Sequence, residues 1–147
     1  MRTAIKMTVV AAAILLSGCT HKYEELPPEQ QQARFHDFMT GRIILDCQVS
    51  CAGAFGYHRR ELASFNTTQN WRALADNVMK IGFNQDLSWY YLGRAAEGLN
   101  YLSAARVYYA KALSGAPACD SLFDACDGFK FPDEAQKRLD ILDRMHG

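Results

Sequence analysis

The chain has 147 residues, with 16 Lys and Arg against 16 Asp and Glu, so its formal net charge is zero. Electrostatically driven nucleic-acid binding needs a basic patch, and this balance argues against it. The length suits one domain with a single core. The sequence has no phosphate-binding glycine loop, no G-x-S-x-G and no H-E-x-x-H. We therefore expect no enzyme activity, no cofactor and no metal.

Residues 1–18 have the organisation of an export signal. Arg2 and Lys6 precede an apolar run over residues 7–16, which is too short to span a bilayer as a stable helix. The run ends in Leu-Ser-Gly-Cys at Cys19, which resembles a bacterial lipobox. The resemblance implies cleavage before Cys19 and acylation of that cysteine, including palmitate, so that the mature chain is held at a membrane. An ordinary secretory signal, or a cytosolic chain with an apolar start, is the alternative.

The mature chain would begin at Cys19 and contain 129 residues with 14 basic and 16 acidic side chains, a formal charge of −2. Thr20, rather than Asp, follows the cysteine. By resemblance to sorted envelope lipoproteins, this implies the outer membrane of a bacterial cell envelope, facing the periplasm. Residues 19–33 are polar and include two prolines, which predicts a flexible lipidated tether. Residues 34–147 are expected to form one helical domain.

Three helices are predicted before the middle of the chain. Residues 29–44 place Phe35, Phe38 and Met39 on one face, with an interruption expected at Gly41. Residues 47–65 also show helical spacing. The third helix spans residues 71–81 and should stop at the following glycine.

The strongest pattern lies in residues 86–113 and predicts a helical hairpin. Two apolar stripes recur at intervals of three to four residues and would face each other across a short turn; they contain Trp89, Leu92, Gly93 and Ala96, and then Ala105, Tyr109 and Ala112. Gly98 and Asn100 are the candidates for a positive φ between the helices. The order W-x-x-L-G, A-x-x-x-Y-x-x-A and a later Pro117 resembles a tetratricopeptide repeat.

This resemblance implies an all-α fold, a short solenoid of helical hairpins. The clear repeat covers residues 86–119, and residues 55–81 read as a degenerate copy 34 residues earlier that would stack on it. Pro132 should open a C-terminal capping helix with Ala135, Leu139, Leu142 and Met145 on one face. By resemblance, the first helix of such a repeat lines a groove that binds protein partners. The groove residues here would be Tyr90, Arg94 and Glu97, and a solvated face with an Arg94–Glu97 pair is the alternative.

Four cysteines remain after Cys19, and an even number in an exported chain implies two disulfides. Local pairs, Cys47 with Cys51 and Cys119 with Cys126, are favoured over cross-pairing. A redox site is disfavoured because neither pair has two intervening residues. Two metal hypotheses are weaker still: a thiolate site at Cys47, Cys51 and His58, and a Ca²⁺ site at Asp120, Asp124 and Asp127.

The sequence therefore predicts a lipid-anchored, periplasm-facing scaffold or adaptor that mediates protein–protein interaction. The assembly served would be a secretion, pilus, cell-wall or polysaccharide machinery, with membrane contact through Cys19 and an unidentified protein partner. Two alternatives stay open. One is a structural envelope lipoprotein without a dedicated groove ligand, and the other is a thiol-redox accessory protein.

Overall fold

A computed structural model describes residues 26–115 and 126–145. Within these ranges the chain is all-α and contains no strand, as the periodicity predicts. Its helices are α1 (Pro28–Met39), α2 (Ala52–Thr67), α3 (Trp71–Ile81), α4 (Asp86–Gly98), α5 (Leu102–Ser114) and α6 (Asp133–Arg144), with a 3-10 turn over Val49–Cys51 before α2. Consecutive helices from α2 to α6 pack against one another, and α4 against α5 is the most extensive of these contacts.

The predicted hairpin is formed by α4 and α5, and all seven of its seam residues are buried. The two helices approach closely at Gly93, where an added Cβ would lie 2.5 Å from Cε1 of Tyr109. A side chain on Gly93 would therefore hold the helices apart. The turn between them passes through Asn100 at φ 65°, a left-handed conformation that asparagine tolerates. Pro117, predicted to stop α5, lies outside the described residues.

The N-terminal part departs from the prediction. Helix α1 begins at Pro28, so residues 28–33, which the sequence assigned to the tether, are helical. The same helix ends at Met39, not near residue 44, because Gly41 turns the chain at φ 74°. Residues 42–46 then alternate, with Ile43 and Leu45 buried and their neighbours exposed. An extended segment therefore replaces the last turn of the predicted helix.

Helix α3 has the predicted bounds, and Gly82 ends it with φ 69°. Helix α6 begins just after Pro132 and packs on α5 with Ala135 and Leu142 fully buried. Arg106 of α5 strengthens this contact by donating to the Leu142 carbonyl at 2.6 Å. The C-terminal part of the chain is thereby held beside the α4–α5 hairpin.

Candidate functional site

The candidate site lies on one side of α4, where aromatic and acidic side chains meet residues from the far end of the sequence. We define the α4 face as Tyr90, Tyr91 and Glu97, and the cover segment as residues 127–134. Tyr90 is 1% exposed and Tyr91 is fully buried. Helix α4 is apolar or buried on nearly every side because neighbouring helices flank it and the cover segment closes what they leave.

Tyr90 is enclosed by aromatic rings of the cover segment. Its ring centroid lies 4.9 Å from that of Phe129 and 5.3 Å from that of Phe131, in tilted and edge-on arrangements. Such geometries are the favoured ones for aromatic pairs. The Tyr90 hydroxyl donates to Oε1 of Glu134 at 3.2 Å. Tyr90 is thus held at both its ring and its hydroxyl.

Tyr91 connects the cover segment to α2. Its hydroxyl donates to Oδ2 of Asp127 at 2.6 Å, and Oδ1 of the same carboxylate lies 3.0 Å from Nε of Arg59. Both oxygens of Asp127 are therefore used, each by a different helix. Asp127 takes φ 50°, a left-handed conformation that a short polar side chain tolerates.

Glu97 forms the third polar contact of the α4 face. It accepts a hydrogen bond from the Tyr109 hydroxyl at 2.6 Å and pairs with the guanidinium of Arg138 on α6, whose Nε lies 3.0 Å from Oε2. The Glu97 and Arg138 side chains are only 18% and 20% exposed. A buried pair of this kind costs desolvation, and removing one partner would leave an uncompensated charge.

Arg94 points to other surroundings. Its Nε donates to Oδ1 of Asn66 at 3.3 Å, and its guanidinium carbon lies 5.3 Å from the centroid of the Trp71 ring. It therefore sits at the edge of the α4 face, toward α2 and α3. The predicted groove residues thus share one helix, but Tyr90 and Glu97 contact the C-terminal part of the chain while Arg94 does not. Their role in binding a partner stays a prediction.

Burial determines the protonation of the tyrosines. It raises the pKa of Tyr90, Tyr91, Tyr108 and Tyr109 well above the ordinary value, and nearby carboxylates add to the effect at Tyr90 and Tyr91. We call these four the buried tyrosines. Their hydroxyls remain protonated donors at neutral pH. The α4 face can therefore recognise aromatic rings and carboxylate oxygens together.

No family model, curated protein or solved structure matches this chain. A functional assignment therefore has to come from the geometry of the chain itself.

The cysteine predictions are met in part. Cys47 and Cys51 form a disulfide, with their Cα atoms 5.8 Å apart. Cys126 is also disulfide-bonded, and Cys119, its predicted partner, lies outside the described residues. The lipidation residue Cys19 lies outside them too. The Cys47–Cys51 bridge follows an extended segment pinned to α3, since the Cys47 amide donates to the Gly82 carbonyl at 3.1 Å.

Neither metal hypothesis gains support from the part of the chain that is described. There, no three His, Cys, Asp or Glu side chains are grouped in a way that could hold a metal ion. Nδ1 of His58 lies 3.0 Å from Glu61 Oε2. Asp127 is engaged by Tyr91 and Arg59, while Asp120 and Asp124 lie outside the described residues. Within the same ranges, no helix has the length and hydropathy needed to cross a membrane.

Sequence reasoning missed most of what surrounds the α4 face. Tyr91 was interpreted as packing and Asp127 as a solvated loop residue, and Arg138 was placed away from the packed stripe of α6. One signal was present. Asp127, Phe129 and Phe131 alternate with small or charged residues, and such alternation indicates an extended segment with one buried side.

Proposed function

We propose that this protein is a lipid-anchored, periplasm-facing adaptor of the bacterial envelope that binds a segment of a protein partner on its α4 face. The partner belongs to an envelope assembly such as a secretion, pilus, cell-wall or polysaccharide machinery. The binding unit is a tetratricopeptide-like hairpin made of α4 and α5, extended by α2 and α3 on one side and closed by α6 on the other.

The hairpin supports the proposal through its packing. The small residue at Gly93 lies against Tyr109, as the repeat pattern requires, and the turn takes its positive φ at Asn100. The resemblance to tetratricopeptide repeats places ligand-binding residues on the first helix, which here is α4. The lipobox-like residues ending at Cys19 support the anchor, which would hold this surface close to membrane-bound assemblies.

The observation that carries the proposal is that the α4 face already holds a short stretch of polypeptide. The cover segment is not part of α4 or α5, and it contributes two aromatic rings and two carboxylates to this face. Aromatic anchors surrounded by hydrogen-bonded polar groups are the usual means of protein recognition. The face is therefore chemically suited to bind a peptide.

Site-specific photocrosslinking in intact envelopes tests this function. A photoreactive residue at Arg94, on the edge of the α4 face, should give an ultraviolet-dependent adduct of one defined mass. The same residue at Arg60, which is exposed on α2, serves as the matched control and should not give it. Equal adducts at both positions, or no adduct at Arg94 in a protein of normal abundance, would refute the function.

The anchor needs a separate measurement. Mass spectrometry of the mature protein should show Cys19 as the first residue, carrying acyl chains. Cys19→Ser should abolish the added mass and release the protein from the membrane fraction. A wild-type chain that keeps residues 1–18 and carries no lipid would contradict the proposed location.

A further inference from the structure

The cover segment and helix α6 attach to the rest of the protein by different kinds of contact. Helix α6 packs on α5 through fully buried Ala135 and Leu142. Phe129 and Phe131 of the cover segment are only partly buried, and the segment's polar contacts go to tyrosine hydroxyls and to Arg59. Interfaces of that mixed, partly exposed kind resemble transient contacts more than a domain core.

The side chains that reach the α4 face form a linear pattern. An acidic residue, Asp127, comes first, then Phe129 and Phe131 in alternation, then a second acidic residue, Glu134. Arg138 follows one helical turn later and pairs with Glu97. The pattern is acidic–x–aromatic–x–aromatic–x–x–acidic–x–x–x–basic, which a peptide of twelve residues can carry.

The charges of the receiving surface match this order. Arg59 lies where the first carboxylate binds, Tyr90 donates to the second carboxylate, and Glu97 accepts the basic residue. A segment with reversed charges would bring a base to Arg59 and an acid to Glu97. Like charges at these positions disfavour the wrong partner strongly, so the surface selects both composition and direction.

We propose that the cover segment is an intramolecular occupant of the binding surface, and that the partner binds with an acidic, diaromatic segment of the same pattern after displacing it. This inference rests on the proposed function and names the chemistry of its partner. Binding of the partner is weakened by competition from the chain's own segment, because only molecules with the cover displaced can accept the ligand.

The test uses the purified full chain and a fluorescent peptide of sequence DGFKFPDEAQKR, which copies residues 127–138. The double variant Phe129→Ala/Phe131→Ala should bind this peptide at least tenfold more tightly than the wild-type chain, measured by fluorescence anisotropy. A peptide with both phenylalanines replaced by alanine should not bind. Tyr57→Ala, which removes an aromatic residue that is 85% exposed outside this surface, is the matched control and should bind like wild type.

A second variant guards against loss of fold. Asp127→Asn/Glu134→Gln keeps both aromatic rings and removes only the charges of the cover segment. It should retain the wild-type circular dichroism spectrum and bind the peptide more tightly than wild type by several fold. If the first variant unfolds, this one decides, and affinity equal to wild type overturns the proposal.

Two further outcomes also overturn it. Equal peptide affinity for wild type and a folded Phe129→Ala/Phe131→Ala variant would show that the cover segment does not compete. Concentration-dependent dimerisation that requires Phe129 and Phe131, seen by sedimentation velocity, would make the occupant the same segment of a second copy. Photocrosslinking at Arg94 is independent of both, so its success with a negative peptide result would remove this inference and leave the proposed function standing.

Discussion

Gly93→Ala tests the packing that positions the α4 face. The added Cβ would lie 2.5 Å from Cε1, 2.6 Å from Cδ1 and 3.0 Å from Cγ of Tyr109. Carbon atoms pack best at about 3.5–4.0 Å, so the ring or helix α5 has to move by about 1 Å. The ring cannot swing away freely, because its hydroxyl is bonded to Glu97 at 2.6 Å and Tyr90 packs beside it.

The expected magnitude combines two opposing effects. Overpacking a well-filled core costs about 1–3 kcal/mol, and the upper end applies here because a bonded aromatic ring is in the way. Replacing glycine by alanine inside a helix returns about 1 kcal/mol. The free energy of unfolding should therefore fall by about 2 kcal/mol.

Urea unfolding followed by circular dichroism measures this change. Gly56→Ala is the matched control, because Gly56 lies inside α2 and an added Cβ would have nothing within 4 Å. That variant should gain about 0.5–1 kcal/mol from helix propensity alone. In the Gly93→Ala background, Tyr109→Leu should cost at least about 1 kcal/mol less than in the wild type. If Gly93→Ala is as stable as Gly56→Ala, the close approach of α4 and α5 at this position is refuted.

Three other predictions follow from burial and covalent structure. Gly98→Ala should shift the tryptophan emission and lower stability by about 1 kcal/mol, because its Cβ would lie 2.3 Å from the indole of Trp71; an unchanged spectrum would contradict that contact. The buried tyrosines should make the protein sensitive to alkali: their hydroxyls stay protonated in the folded state and ionise in the unfolded state above pH 10.0, so stability is complete below that pH and falls as pH rises. Tyr109→Phe should reduce the slope of unfolding free energy against pH above 10 by about 1.4 kcal/mol per unit, and an unaltered slope in denaturant titrations would exclude this role. Cys47→Ser/Cys51→Ser opens a loop of four residues' separation and should cost about 2 kcal/mol in urea unfolding with helix content unchanged; a larger loss would mean that the bridge does more than close a short loop.

The helices were predictable where periodicity and a stop signal agree. The apolar stripe of α3 ends at Gly82, whose left-handed conformation terminates the helix where the sequence indicates. The end of α1 was not predictable in the same way. Ile43 and Leu45 continue the apolar pattern of α1 plausibly, and only the structure shows that they alternate in an extended segment, with Lys111 donating to the Ile43 carbonyl at 2.8 Å.

The candidate site was predictable only on its α4 side. The repeat pattern selects Tyr90 and Glu97 because local spacing places them on one helix. Their partners Glu134 and Arg138 lie 44 and 41 residues away, and no local rule connects positions that far apart. Contacts of this range depend on how α6 packs against α5, which periodicity does not specify.

The hydroxyls of Tyr90 and Tyr91 give the strongest reason to expect an acidic partner. A buried hydroxyl without an acceptor costs about 1–3 kcal/mol, so an aliphatic segment on this face would be penalised twice. Phenylalanine at both positions would bury similar apolar area and would accept any apolar cover. The chain instead carries two donors, and each meets a carboxylate of the cover segment. Any segment that replaces the cover must supply the same acceptors, which makes the two carboxylates a requirement of binding and the aromatic rings its anchor.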